Sequence, residues 1–181
     1  MAAKTKTQNV VSRRPSPAIL RQICLFATDV DGVLTDAGMY YSESGDEWKK
    51  FNTRDGMGIK LLQKAGLITA IVTQERTRLV ARRAEKLGIP ELHQGVMDKL
   101  SVIRDMAARH GISLQQIAYI GDDVNDVEAL KAVGLSAAPA DSLPQVLEIV
   151  DYVCTLKGGE GAVRELVELI LQSRVEADVT K

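Results

Sequence analysis

Short apolar runs alternate with amphipathic stretches along most of the 181 residues. Ile23-Cys-Leu-Phe-Ala-Thr28 is apolar almost throughout and ends in acids and Gly32, the pattern of a buried strand running into a loop. Met39-Tyr-Tyr41 and Glu47-Trp-Lys-Lys-Phe51 flank the turn residues Ser44-Gly45-Asp46, which predicts a hairpin. Residues 55–65 read as a helix and Leu67-Ile-Thr-Ala-Ile-Val72 as a second buried strand. A basic helix over 76–87 is stopped by Gly88 and Pro90, and a weak strand covers 91–94. Asp98 suits the N-cap of a helix reaching His110. Ile117-Ala-Tyr-Ile120 is the next strand, with a helix over 124–132 behind it. Strands near 135–138 and 151–154 bracket a helix around 143–149, and an amphipathic helix over 161–172 closes the pattern. Strands that are apolar on both faces and separated by helices predict an α/β fold whose central parallel sheet is covered on both sides. Residues 1–20, with Pro15 and Pro17, read as a flexible leader, 21–175 as one domain and 176–181 as a tail.

Composition narrows the class of partner. The net charge of −1 argues against nucleic acid or an anionic membrane surface as the main partner. Lys4, Lys6, Arg13 and Arg14 gather near the start and are expected to be a solvated tail. No apolar run approaches the roughly 18 residues of a membrane span, and the N-terminus lacks the apolar core of a secretory signal. Cys24 and Cys154 sit in apolar runs and are expected to be buried thiols in a reducing cytoplasm.

Ligands of such sheets bind outside the carboxyl ends of the strands. There the sequence places Asp29 and Asp31, then Thr73, then Lys99 at a helix start, then Gly121-Asp-Asp-Val-Asn-Asp126. Any one acid after a strand is commonly just a helix cap. Two acidic clusters nearly a hundred residues apart would repel if brought together uncompensated, and a hard divalent cation with oxygen ligands removes that objection. A carboxylate can attack phosphorus and split one displacement into two, while a second carboxylate two residues on can protonate the leaving alkoxide and then activate water.

Asp29-Val-Asp-Gly-Val-Leu-Thr-Asp36, Thr73, Lys99 and the Gly121–Asp126 run together resemble, in order, the four motifs of the haloacid dehalogenase superfamily. The resemblance implies a Rossmann-like three-layer sandwich and a magnesium-dependent phosphatase. It implies Asp29 as nucleophile, Asp31 as general acid/base, and Thr73 and Lys99 as phosphate ligands, with Gly32 in the phosphate loop. Asp122 would bind Mg²⁺ with the Asp29 carboxylate and the Asp31 carbonyl, Asp126 would orient Lys99, and Asp123 would support the metal's water shell. Only 41 residues lie between Asp31 and Thr73 and 22 between Lys99 and Asp122, so no cap domain fits in either gap.

An uncapped site is wet unless something else covers it, and the aromatic-bearing hairpin is expected at an oligomer contact because a lone two-stranded ribbon is marginal in water. Gly38-Met-Tyr-Tyr41, Trp48-Lys-Lys-Phe-Asn52, Asp55-Gly-Met-Gly58, Gly95-Val-Met-Asp-Lys99 and Gly158-Gly-Glu-Gly-Ala-Val-Arg-Glu165 resemble the capless phosphatases of 2-keto-3-deoxy sugar-acid phosphates. That resemblance implies a homotetramer with hairpin 38–52 at its centre. Two branches of substrate stay open, 3-deoxy-manno-octulosonate 8-phosphate and the nine-carbon nonulosonate (KDN) 9-phosphates. Thr73-Gln-Glu-Arg-Thr77 and the following Arg82-Arg-Ala-Glu-Lys86 resemble the nine-carbon branch more, with Gln74 departing from the glycine of both. On that reading Glu75 accepts sugar hydroxyls and Arg83 or Lys86 meets the substrate carboxylate. The Gly158–Glu165 segment either brings backbone N–H groups or Arg164 to an anion or is a flexible lead into a helix. The rival readings are a receiver-like signalling module, a non-catalytic tetramerising module, a phosphomutase, and a phosphatase of another small sugar phosphate.

Overall fold

The computed structural model describes residues 14–179, with side chains to Val175. In chain order the elements are α1 (Pro17–Gln22), β1 (Leu25–Thr28), β2 (Tyr40–Tyr41), β3 (Glu47–Trp48), α2 (Thr53–Lys64), β4 (Ile68–Thr73), α3 (Arg78–Leu87), β5 (Glu91–Gln94) and α4 (Lys99–His110). They continue with β6 (Ile117–Ile120), α5 (Val127–Ala132), β7 (Leu135–Ala138), α6 (Pro144–Leu147), β8 (Tyr152–Val153) and α7 (Ala162–Val179). Short 3₁₀ turns over Leu114–Gln116 and Val124–Asp126 lead into β6 and α5.

Six strands form one parallel sheet in the order β5-β4-β1-β6-β7-β8. The chain leaves β1 toward β4 on one side and returns to β6 on the other. The order therefore reverses at β1, the switch point where open α/β sheets bind ligands. Successive β1 residues point to opposite faces, so Phe26 packs with α1, α2, α3 and α7 while Leu25 and Ala27 pack with α4, α5 and α6. Full burial of a side chain the size of Leu25 or Phe26 stabilises the fold by about 1.5–3 kcal/mol relative to exposure.

Local signals set the element ends. Asn52 accepts from the Arg54 N–H at the start of α2, Thr77 from Val80 in α3, and Asp98 from Ser101 in α4. Left-handed Gly88 and Gly111 close α3 and α4. The hairpin forms as expected, pairing Tyr40 with Trp48. Tyr40, Tyr41 and Trp48 are all exposed in this chain.

Three expectations are corrected. The leader does not extend to residue 20: Ser16 caps a helix with Pro17 in its first turn, and Leu20 is buried against α7. Residues 1–13 of that leader lie outside the described residues. The last helix runs past 172 to Val179, into the expected tail. Cys154 is a buried free thiol, but Cys24 precedes β1 and is only partly buried. No described helix is long and apolar enough to cross a membrane.

Candidate active site

The site forms where β1 ends. The Asp29 N–H, just past the end of β1, donates to the carbonyl of Ile120, the last residue of β6, at 3.0 Å. Three N–H groups, from Val33, Leu34 and Thr35, then turn back onto the Val30 carbonyl and fold the Asp29–Thr35 segment into a tight loop. Gly32 sits in this loop at φ 81°, and a Cβ there would lie 2.0 Å from Asp122 Oδ2. Only glycine allows both that backbone conformation and that approach. Behind the loop, a Cβ on Gly158 would lie 1.9 Å from the Gly32 carbonyl. The Gly-rich C-terminal segment thus buttresses the loop, while Arg164 donates its N–H to Asp55 at 2.8 Å and pairs its guanidinium with Glu168 at 2.5 Å. The anion-binding alternative for Arg164 does not match this placement.

A cleft of about 250 Å³ opens over the loop, lined by Asp29, Asp31, Thr73, Glu75, Asp122 and Asp123 with Ala37, Met39, Gln74 and Asn125. Lys99 stands beneath it, 2% exposed. Its Nζ lies 2.9 Å from Asp29 Oδ2 and 2.6 Å from Asp126 Oδ1. A lysine in the first turn of a helix opposes the helix dipole, so these two carboxylates are what make the position tolerable. Burial works against the Lys99 charge, but the charges of Asp29 and Asp126 outweigh it and hold the ammonium above its ordinary value.

Asp126 is fully committed. One oxygen meets Lys99 and the Tyr119 hydroxyl; the other accepts the N–H groups of Asp122 and Asp123 at 3.0 and 3.2 Å. Asp29 Oδ1 and Asp122 Oδ1, by contrast, are buried without a hydrogen-bond partner. Burial and then the Asp126 charge push Asp29 up to about 7, against the pull of Lys99. Burial and the charges of Asp29, Asp126 and Asp123 push Asp122 up to about 8. Oxygens of Asp29, Asp122 and Asp126 lie within 4.8 Å of one another. Since the Asp126 oxygens are already satisfied, the open ligand pair for a hard cation is Asp29 with Asp122.

The residues expected at the substrate end divide. Glu75 lines the cleft, and the Gln74 amide oxygen accepts from Asn125 at 3.1 Å. Arg83 does not line it: its guanidinium donates to the Asn52 carbonyl at 2.9 Å, stacks over Phe51 and fills the space beside Gly56. Lys86 lies exposed near the end of α3, also outside the cleft lining. Neither side chain reaches the cleft of its own chain, because α3 turns Arg83 toward α2 and Lys86 toward solvent.

Sequence reading missed two members of the network. Tyr119 is buried on Asp126, and burial first and the Asp126 charge second raise its hydroxyl pKa. Its signal was a hydroxyl-bearing aromatic in an otherwise aliphatic strand. Lys49 reaches from the hairpin arm to Asp31 at 2.5 Å and Glu75 at 2.6 Å, with its side chain 1% exposed. Its signal was the two-residue alternation of an extended arm, which sends Lys49 inward when Trp48 faces out.

A family model for haloacid dehalogenase-like hydrolases matches residues 84–166. The 3-deoxy-D-manno-octulosonate 8-phosphate phosphatase of Yersinia pestis is 45% identical over 149 residues, 82% of this chain and 80% of that protein. The crystal structure of the corresponding phosphatase of Moraxella catarrhalis, a complex with magnesium ion, phosphate ion and KDO, superposes with a TM-score of 0.86 at 39% identity, covering 91% of this chain and 94% of that one. The cobalt-bound phosphatase of Haemophilus influenzae superposes with a TM-score of 0.84 at 38% identity, over 89% and 94% of the two chains. This chain therefore belongs to the haloacid dehalogenase-like hydrolases, in the phosphatase family of these three relatives, and is a phosphoric monoester hydrolase.

Proposed function

We propose that the protein hydrolyses 3-deoxy-D-manno-octulosonate 8-phosphate through an aspartyl phosphate on Asp29, with magnesium as cofactor. The observation that carries this reading is the pairing of two partnerless buried oxygens, Asp29 Oδ1 and Asp122 Oδ1, beside a buried lysine. That donor set is oxygen-only, anionic and open on one side, which fits a hard divalent ion. Asp29, Asp122 and the Asp31 carbonyl would hold magnesium, which when bound offsets the negative charge of the transferring oxygens. Asp123, which lines the cleft wall, would support its water shell.

The protein's own groups then account for the steps. Lys99, held by Asp29 and Asp126, and the Thr73 hydroxyl bind the phosphoryl oxygens, and the Gly32 loop lets backbone approach them. An Asp29 oxygen attacks phosphorus; the ester P–O bond breaks and its electron pair leaves on the sugar oxygen, which takes a proton from Asp31. Water then attacks the phosphoryl group and gives a proton to the Asp31 carboxylate. The bond from Asp29 to phosphorus breaks, returning its electrons to the carboxylate. Asp126 positions Lys99 throughout and takes no part in bond making.

The names of the relatives favour the eight-carbon substrate. A nine-carbon sugar-acid phosphate is the second reading, favoured by Glu75 in the cleft, where its carboxylate can accept sugar hydroxyls. The basic residues that strengthened that reading, Arg83 and Lys86, lie away from the cleft. Comparing kcat/KM for the two sugar-acid phosphates decides between them. A ratio of tenfold or more for the eight-carbon ester is expected, about 1.4 kcal/mol of discrimination; an equal or reversed ratio would sink the assignment. The exposed aromatic hairpin supports a homotetramer built around residues 38–52.

A further inference from the structure

The nucleophile and the acid/base are each held by a lysine, but the two lysines come from different parts of the fold. Lys99 holds Asp29 from a helix start within the sheet-and-helix body. Lys49 holds Asp31 from the hairpin arm, and it is the only side-chain partner of Asp31 among the described residues. The same ammonium reaches Glu75 at 2.6 Å and approaches Glu47 at 3.9 Å. Asp31 and Glu75, from the ends of two different strands, thus share one nitrogen and would repel without it. Burial works against the Lys49 charge, yet hydrogen bonds to Asp31 and Glu75 overcome it and raise the ammonium above its ordinary value.

From this geometry we infer that Lys49 is a positioning residue for proton transfer: it aims the Asp31 carboxyl at the leaving-group oxygen and fixes Glu75 beside it. The inference rests on the reading of Asp31 as acid/base given above. A lysine serving only to pin the hairpin down could have used any of the acids along its path, and apolar packing would seat the hairpin without burying a charge. Instead the charge is delivered to the one carboxylate that must hand over a proton and to the one acid poised for sugar hydroxyls. The Asp31 backbone is already fixed by the turn on the Val30 carbonyl, so the freedom left for Lys49 to remove is that of the side chain. A misdirected general acid costs most when the leaving group needs a proton and little when it does not.

The test uses the full-length protein with magnesium, enzyme in excess over substrate, and release of the leaving group in a single turnover, so that only the first displacement is read. Two esters are compared: p-nitrophenyl phosphate, whose phenolate departs without a proton, and an alkyl ester. The alkyl ester is 3-deoxy-D-manno-octulosonate 8-phosphate if the wild type cleaves it, and otherwise a simple alkyl phosphate that the wild type does cleave. Lys49→Met is expected to slow the alkyl ester by about 100-fold and p-nitrophenyl phosphate by less than about threefold, with Lys49→Arg recovering part of the loss. Should Lys49→Met not fold by circular dichroism, Lys49→Gln, which is shorter by one atom and removes the charge while keeping a polar end, takes its place with the same selectivity expected. Equal losses on both esters, or no loss on the alkyl ester, would overturn the role of Lys49. Asp31→Asn separates the two readings. If it slows the alkyl ester selectively while Lys49 variants do not, the Lys49 inference alone fails; if it shows no selectivity, the acid/base reading of Asp31 fails and takes this one with it.

Discussion

At the scale of single residues, the site is a set of charges that tolerate one another only in this arrangement. Asp29, Asp122 and Asp126 would repel, and Lys99 offsets part of that repulsion while leaving one oxygen each of Asp29 and Asp122 unpartnered. Gly32 holds the arrangement at its tightest point, with left-handed backbone and no room for a Cβ against Asp122. Gly32→Ala should therefore lose kcat/KM by about 100-fold or more, because the Asp122 carboxylate, pushed back by about an ångström, would no longer be placed to share an ion with Asp29. Steady-state assays over a magnesium titration check this; a variant within threefold of wild type at all magnesium levels would refute the close-approach explanation. Asp29, Asp31, Thr73, Lys99, Asp122 and Asp126 were legible in the sequence because charge and hydroxyl at strand ends are visible without knowing the fold. Lys49 was not, since where a long side chain on a hairpin arm comes to rest depends on how the hairpin folds back. Where Arg83 and Lys86 come to rest, away from their own chain's cleft, was not legible for the same reason: a basic helix face carries no mark of which neighbour it meets.

At the scale of elements, α2 and α7 meet through a buried acid. Asp55, 0% exposed in the first turn of α2, accepts the Arg164 N–H near the start of α7 at 2.8 Å. Burial lifts its carboxyl from the ordinary 3.8 to about 6, against that hydrogen bond and the Arg83 charge. Between those two values the folded protein keeps a proton that the unfolded chain has released, so stability falls as pH rises from about 4 to 6 and the loss is complete above 6. Asp55→Asn keeps the acceptor and removes the titration. The variant should gain melting temperature relative to wild type as pH is raised from 4 to 7; parallel melting curves across that range would show that Asp55 does not titrate as its burial implies. Strand and helix positions themselves were legible, because apolar runs and caps such as Asp98 mark them locally. The helix at Pro17–Gln22 was not, since a six-residue segment that starts on one proline and follows another gains its helix from packing Leu20 on α7, a contact the local sequence does not announce.

At the scale of the whole molecule, the parallel sheet brings residues from 29 to 126 to one edge, and the switch at β1 opens the cleft there. The hairpin leaves that body with Tyr40, Tyr41 and Trp48 exposed, 43%, 64% and 53%. Three large aromatics on one short ribbon suit burial against other copies of the chain. Light scattering should give four times the 19.7 kDa chain mass, and Trp48→Glu should shift the population toward smaller species; a fully active wild-type monomer would contradict assembly through the hairpin. The fold class was legible from the alternation of strands and helices, whereas the strand order, and with it the position of β1 at the centre, depends on long-range pairing that no local pattern encodes. That the assembled site passes the phosphoryl group through Asp29 is tested most directly by quenching the enzyme with borohydride during turnover and sequencing its peptides by mass spectrometry. Reduction of an aspartyl phosphate should leave homoserine at position 29 in substrate-treated enzyme alone. Reduction at another carboxylate, with position 29 recovered as unmodified aspartate, would contradict it.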